Sequence, residues 1–148
     1  MLYRRGALTE ASAEFERAVE LDSTDLGVRK NLGFLYLSLG RGYSAGQQFT
    51  AVLASEPADL EAGFGLATAL LRQNSLTEAN AQAEKVLRVS PDHSGALNVV
   101  GMVHQLRGER DSARAYYVRA LIADSTNVSA LQNLRDLASP TLPQKGSK

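Results

Sequence analysis

The sequence predicts an all-α protein, an α-solenoid assembled from repeated helix pairs, and three observations predict it. Leu32-Gly33, Tyr36, Gly40, Ala45, Phe49 and Pro57 sit at intervals that recur, residue type by residue type, 34 positions before and after. Self-similarity at a fixed period of roughly 20–50 residues is the signature of a repeat architecture. Gly6, Gly40, Asn74 and Gly108 share one place in that period, and Gly or Asn is what a helix needs where it ends in a left-handed residue. The large apolar residues between these points are spaced by three and four, which puts them on one helical stripe.

Each element follows from these marks. After the closing residue the turn is short, and Thr9, Thr77 and Asp111 are expected to cap the second helices through their side-chain oxygens. Tyr43 breaks that series, and Ser44 with Gln47 offers a capping box instead. Ala11, Ala45, Ala79 and Ala113 mark where paired helices cross most closely, and Gly33, Ala67 and Gly101 form the opposite slot. A helix-interior Gly costs roughly 1 kcal/mol relative to Ala, so its return in one chain points to close packing. Phe15, Phe49 and Tyr117 in the second helices, with Ala83 as the exception, and Leu32, Leu66, Val100 and Leu134 in the first helices fill the shared face.

Ser23, Pro57, Pro91 and Ser125 stand at the unit boundaries, and Asp25, Asp59, Asp92 and Asn127 are expected to cap the next first helix. The elements are then a second-helix half from about Thr9 to Leu21 and three complete pairs starting near Leu26, Leu60 and Ser94. A lone helix from about Val128 to Ala138 ends before Pro140. Gln132, Asn133, Arg135 and Asp136 give that helix the polar face of a solvating cap. Met1 to Arg5 supplies only the last turn of a first helix, so the stripe of Phe15, Ala18 and Val19 is expected to lack part of its partner. Either the natural protein extends upstream or this end packs on another copy.

Composition excludes several classes. Sixteen basic and sixteen acidic residues cancel, which argues against nucleic acid as a partner. There is no cysteine, hence no disulfide, thiolate metal site or cysteine nucleophile. Met1-Leu2-Tyr3-Arg4-Arg5-Gly6 has no apolar region behind it and is not read as a signal peptide. No apolar run approaches the ~20 residues that span a bilayer, so membrane insertion is not expected.

The recurring Leu-Gly, aromatic, Gly, Ala, aromatic and Pro positions resemble the tetratricopeptide repeat (TPR), a helix-turn-helix unit of this period. On that resemblance residues 1–25 are a partial repeat, 26–59, 60–93 and 94–127 are complete repeats, 128–139 is a carboxyl-terminal capping helix and 140–148 a disordered tail. The large aromatic that opens the family signature is replaced by Arg29, Gly63, Leu97 and Leu131. The third unit, with Gly63, Gly65 and Ala83, is expected to be the softest.

The resemblance implies antiparallel helix pairs stacked as a right-handed superhelix whose concave face is lined by the first helices. Carried over position by position, the partner-binding residues would be Lys30, Asn31, Phe34, Leu37, Glu61, Phe64, Thr68, Leu71, Arg72, Asn98, Met102, Gln105, Gln132 and Asn133. Phe34, Phe64, Leu71 and Met102 would hold an apolar partner surface, with Asn31, Asn98 and Asn133 fixing a peptide backbone. The plainer reading of Phe34, Phe64 and Met102 is packing between adjacent first helices. Lys30-Asn31 resembles the start of the carboxylate clamp that grips acidic chaperone tails. The downstream clamp slots read Glu61, Gly65, Gly95 and Val99, which argues against that specificity.

No residue is read as a catalyst. Gly40-Arg41-Gly42-Tyr43-Ser44-Ala45-Gly46 lacks the Gly-Lys-Ser/Thr ending of a phosphate loop. His93 and His104 have no ligand set nearby, and no cofactor or metal is expected. Asn127-Val128-Ser129 matches a glycosylation acceptor, but capping explains Asn127 more simply. The reading is a non-catalytic scaffold holding a peptide or helix of another protein in the concave groove. The alternatives are a scaffold that self-associates through its amino end, and the repeat arm of a larger enzyme.

Overall fold

The computed structural model describes residues 2–139, which form eight α-helices and no strand among the described residues. These are α1 (Leu2–Leu21), α2 (Leu26–Ser38), α3 (Gly42–Ser55), α4 (Leu60–Arg72), α5 (Leu76–Val89), α6 (Ser94–Leu106), α7 (Arg110–Ala123) and α8 (Val128–Ala138). Residues 140–148, expected to be a disordered tail, lie outside the described residues. No described helix is long and apolar enough to cross a membrane.

The even-numbered helices begin under side-chain caps. Asp25, Asp59 and Asn127 accept from the amides of Val28 at 3.0 Å, Ala62 at 2.8 Å and Ala130 at 2.9 Å. The cap of α6 corrects the sequence expectation, because it is His93 and not Asp92. Its Nδ1 accepts from the Ala96 amide at 3.1 Å. The period decides this, since positions 25, 59, 93 and 127 are evenly spaced and Asp92 is one residue short of the place where a side chain can reach back.

The odd-numbered helices also differ from expectation. Their cap positions are Arg41, Ser75 and Glu109, and none makes a side-chain cap bond. Ser44, Thr77 and Asp111 lie inside the first turns, because the chain enters α3, α5 and α7 almost directly after the left-handed residue. Gly40 (φ 75°), Asn74 (φ 60°) and Gly108 (φ 80°) supply that conformation. Gly6 does not. It lies inside α1, where the Thr9 hydroxyl donates to the Arg5 carbonyl at 2.9 Å. A turn at Gly6 would need a preceding helix to fold against, and no such packing offsets the lost helical hydrogen bonds.

Side-chain size is matched across the helix pairs. A Cβ on Gly33 would lie 2.7 Å from the Phe49 ring and one on Gly65 only 2.4 Å from it, so the ring occupies the space of two missing side chains. Tyr117 fills the Gly101 slot in the same way, at 2.6 Å. The corresponding pair in the third unit is Ala67 with Ala83, both fully buried. Ala83 is therefore the small partner of a slot that already holds a methyl group. Full burial of a ring such as Phe49 contributes about 1.5–3 kcal/mol, more than the helix-propensity cost of either glycine.

Ala45, Ala79 and Ala113 are fully buried at the helix crossings. Ala11, the fourth of the series, is only half-buried, as are Phe15, Ala18 and Val19, because α1 packs on α2 alone. At the other end α8 buries Ala130 and Leu137 and exposes Gln132, Arg135 and Asp136. The Arg110 guanidinium donates to the Leu137 carbonyl, a cation at the negative end of the helix.

Consecutive helices touch throughout, and α2 also meets α4, α4 meets α6 and α6 meets α8. No such contact joins α3 to α5 or α5 to α7. The even-numbered helices are thus drawn together and the odd-numbered ones splayed, which curves the stack and places α2, α4, α6 and α8 on its inner side.

Candidate partner groove

The inner side is built from those four helices. Phe64, Thr68, Leu71, Arg72, Asn98, Met102, Gln132 and Asn133, all expected from the sequence, come together around one groove of about 570 Å³. Val99, Leu106, Val128 and Ser129 complete its lining. Leu106 (58% exposed) and Val128 (77%) are its most accessible apolar residues. Leu106, Val128 and Ser129 were not among the expected residues. Leu106 was open to discovery, because it stands one period after Arg72.

Several side chains are already engaged. Asn98 is buried at 7% exposure, its Oδ1 accepts from Asn133 Nδ2 at 3.0 Å, and its Nδ2 points to Met102 Sδ at 3.7 Å. Asn98 and Asn133 therefore tie α6 to α8 across the groove floor. The Thr68 hydroxyl donates to the Phe64 carbonyl at 3.0 Å, and Gln132 donates to Asp136 at 2.8 Å. Gln105 is turned away and accepts from the Tyr117 hydroxyl at 2.6 Å.

The remaining expected residues lie outside this groove. Leu37 is buried in the core around Phe49. The Phe34 ring meets Phe49 edge-on at 4.9 Å and Phe64 at 6.4 Å, and Phe64 continues to His93 at 5.3 Å. A Cβ on Gly95 would lie 2.7 Å from Phe64. Phe34 and Phe64 thus form an aromatic row that packs one even-numbered helix on the next, as the plainer reading had it, while one side of Phe64 also faces the groove.

Lys30 is neutralised within the fold. Its Nζ lies 2.9 Å from Asp59 and 3.0 Å from Glu61. Those bonds, to Asp59 first and then Glu61, hold the ammonium pKa above its usual value. Burial acts to raise the Asp59 pKa, but the Ala62 amide and Lys30 outweigh it and the net shift is downward. Asn31 is exposed beside this pair, so a carboxylate seeking a clamp at Lys30-Asn31 meets a lysine with two carboxylates already.

The histidines are structural. His93 caps α6, and burial lowers its pKa from the usual value. His104 Nδ1 bonds Glu109 Oε2, and the ring stacks on Tyr116 at 5.3 Å with Arg119 also over that tyrosine, at 5.1 Å. Among the described residues no three His, Cys, Asp or Glu side chains gather as a metal site.

A second groove of about 470 Å³ opens at the amino end. Arg4, Arg5 and Leu8 of α1, Ser38, Leu39 and Gly40 at the end of α2, and Arg72 at the end of α4 line it. Arg72 belongs to both grooves.

A curved stack of helix pairs with paired grooves on its inner side defines the class: an all-α helical repeat solenoid. The sequence pattern described as Tetratricopeptide repeat matches residues 31–86 and 64–128, and the chain belongs to that family. It is 32% identical over 82 residues to uncharacterized protein y4yS of Sinorhizobium fredii (strain NBRC 101917 / NGR234). That match takes in 55% of this chain and 45% of the relative, so the chain spans less than half the relative's length.

Among solved structures, TTC0263, a thermophilic TPR protein of Thermus thermophilus, superposes with a TM-score of 0.79 at 26% identity, over 92% of this chain and 75% of that one. YrrB, a TPR protein with an unusual peptide-binding site, gives 0.74 at 21% identity, over 90% and 69%. The fold is that of a protein–protein interaction module, a class typically without catalytic residues.

Proposed function

We propose that this chain is a non-catalytic interaction module that holds a peptide or helix of a partner protein in the groove between α4, α6 and α8. The observation that carries this reading is the groove itself. It lies on the inner side of the curve, keeps Leu106 and Val128 exposed, and has a floor of hydrogen-bonded amides already in place. A preformed surface of this kind spends little binding energy on ordering itself. The peptide-binding site of YrrB is a property of that protein and supports this reading only as an analogy of fold.

The test uses Leu106→Asp/Val128→Asp, since both side chains are exposed and their replacement leaves the core intact. Wild type and variant are compared in pull-downs with mass-spectrometric identification, after circular dichroism shows both to be helical. A protein recovered by the wild type and lost by the variant supports the groove. Recovery of the same protein by both removes it.

One observation favours a second reading, self-association through α1. Ala11, Phe15 and Val19 remain half-buried where the equivalent face of later helices is covered on both sides. Sedimentation analysis showing a concentration-dependent mass that Phe15→Glu abolishes would favour it.

A further inference from the structure

The charge of the chain is balanced overall, but not at the amino-end groove. Arg4, Arg5 and Arg72 all line it, and its lining holds no carboxylate. Among the described residues no acidic group lies within ion-pairing distance of any of the three guanidinium groups. Lys30, the other cation of the inner side that the sequence singles out, is occupied by Asp59 and Glu61. The groove between α4, α6 and α8 carries no charged side chain besides Arg72 and sets Leu71, Met102, Leu106 and Val128 around the Asn98–Asn133 pair. Arg72 lines both, so the two grooves meet at this residue.

We infer that the inner face recognises an acidic-then-apolar peptide segment of a partner protein. Its carboxylates lie against Arg4, Arg5 and Arg72, and the adjoining apolar side chains lie against Leu71, Met102, Leu106 and Val128.

This inference rests on the groove reading above and adds the chemistry of the occupant. Three arginines on one groove with no acidic partner leave their charge unmet, and carboxylates meet it with planar, two-pronged hydrogen bonds. Arginine suits the task better than the spoken-for lysine, because its fork fixes the direction of the bound group. The apolar stretch beyond Arg72 then selects the order of residues along the peptide. Residues 139–148 carry two lysines and no Asp or Glu, so their side chains do not complement the arginines. A nucleic acid would match their charge but not the neutral, apolar groove that continues from them.

The full chain is immobilised and presented with a random peptide library, and the most enriched peptide is synthesised with a fluorescent label. Its affinity is measured by anisotropy for the wild type, for Arg5→Gln/Arg72→Gln and for Leu106→Asp/Val128→Asp, at low and high salt, and with oligo-dT as competitor. The expected result is enrichment of adjacent Asp or Glu followed by Leu, Ile or Phe. The double arginine replacement should weaken binding by up to about 25-fold, about fivefold for each exposed ion pair lost, and should flatten the salt dependence. Replacing the peptide's acids by amides should cost the wild type at least that factor and the arginine variant, which keeps Arg4, much less.

Enriched peptides without acids, or an affinity indifferent to the arginine changes, would overturn the inference. If such peptides still lose binding on Leu106→Asp/Val128→Asp, the groove reading survives without it. Indifference to both variants, or no enrichment, removes both. Competition by oligo-dT that depends on Arg5 and Arg72 would assign the arginines to nucleic acid and also overturn the inference.

Discussion

Gly65→Ala tests the size matching that holds the repeat units together. Gly65 has ordinary helical backbone geometry, so the usual expectation is that alanine raises stability by up to about 1 kcal/mol. Here the added Cβ would lie 2.4, 2.5 and 2.7 Å from Cζ, Cε1 and Cε2 of Phe49. The ring would have to retreat by roughly 1 Å to reach ordinary contact. It has little room to retreat, because it also fills the Gly33 slot, where an added Cβ would lie 2.7 Å from it, and the Phe34 ring lies at 4.9 Å.

Overpacking of this kind costs about 1–3 kcal/mol. Set against the helix-propensity gain, it leaves a net loss of about 1 kcal/mol, or a thermal midpoint lower by ~2–4 °C. Gly6→Ala is the control, since nothing lies within 4 Å of its added methyl, and it should raise the midpoint or leave it in place. Thermal unfolding followed by far-UV circular dichroism reads both. Placing Gly65→Ala on a Phe49→Leu background should remove the penalty, because the shorter side chain vacates the contested space. A Gly65→Ala protein stabilised as much as Gly6→Ala would refute the packing argument.

Three further predictions follow from the same contacts. His93 caps α6 only when Nδ1 is unprotonated, and its folded pKa is depressed by burial. The unfolded chain therefore binds the proton more readily, and His93's contribution is complete above the unfolded value near 6.5 and lost as pH falls below it. Urea midpoints from neutral to mildly acidic pH should decline more steeply for the wild type than for His93→Asn, by about 1 kcal/mol, the worth of a cap; parallel curves would rule the cap out. Removing the Tyr117 hydroxyl, which donates to Gln105, should cost Tyr117→Phe about 1 kcal/mol in urea unfolding, and an unchanged midpoint would count against that bond. Hydrogen exchange should show the amides of α4 and α5 opening before those of α6 and α7. The first pair carries Gly63 and Gly65 in α4 and a buried, unpartnered Asn80 oxygen in α5, and equal or better protection there would defeat the expectation.

The helical class, the left-handed residues at Gly40, Asn74 and Gly108, and the buried alanines at the crossings were legible in the sequence, because each depends on one residue type at one place in the period. The slots of Phe49 and Tyr117 were legible for the same reason. The amino end was not, since whether Gly6 turns or stays helical depends on a neighbour to pack against. Nor was the cap at His93, because histidine is an unusual cap residue and the adjacent Asp92 is a common one.

The period determined which helices face inward, since a repeat places equivalent side chains on equivalent faces. Tertiary structure decided which of those side chains are available. Lys30 meets Asp59 and Glu61 from the next unit, Asn98 meets Asn133 from the one after its own, and Phe34 leans onto Phe64. Arg4 and Arg5 reach the same groove as Arg72 across more than sixty residues of chain. These pairings depend on the rotation between successive units, and that angle is a property of the packed interface which no single position in the sequence carries.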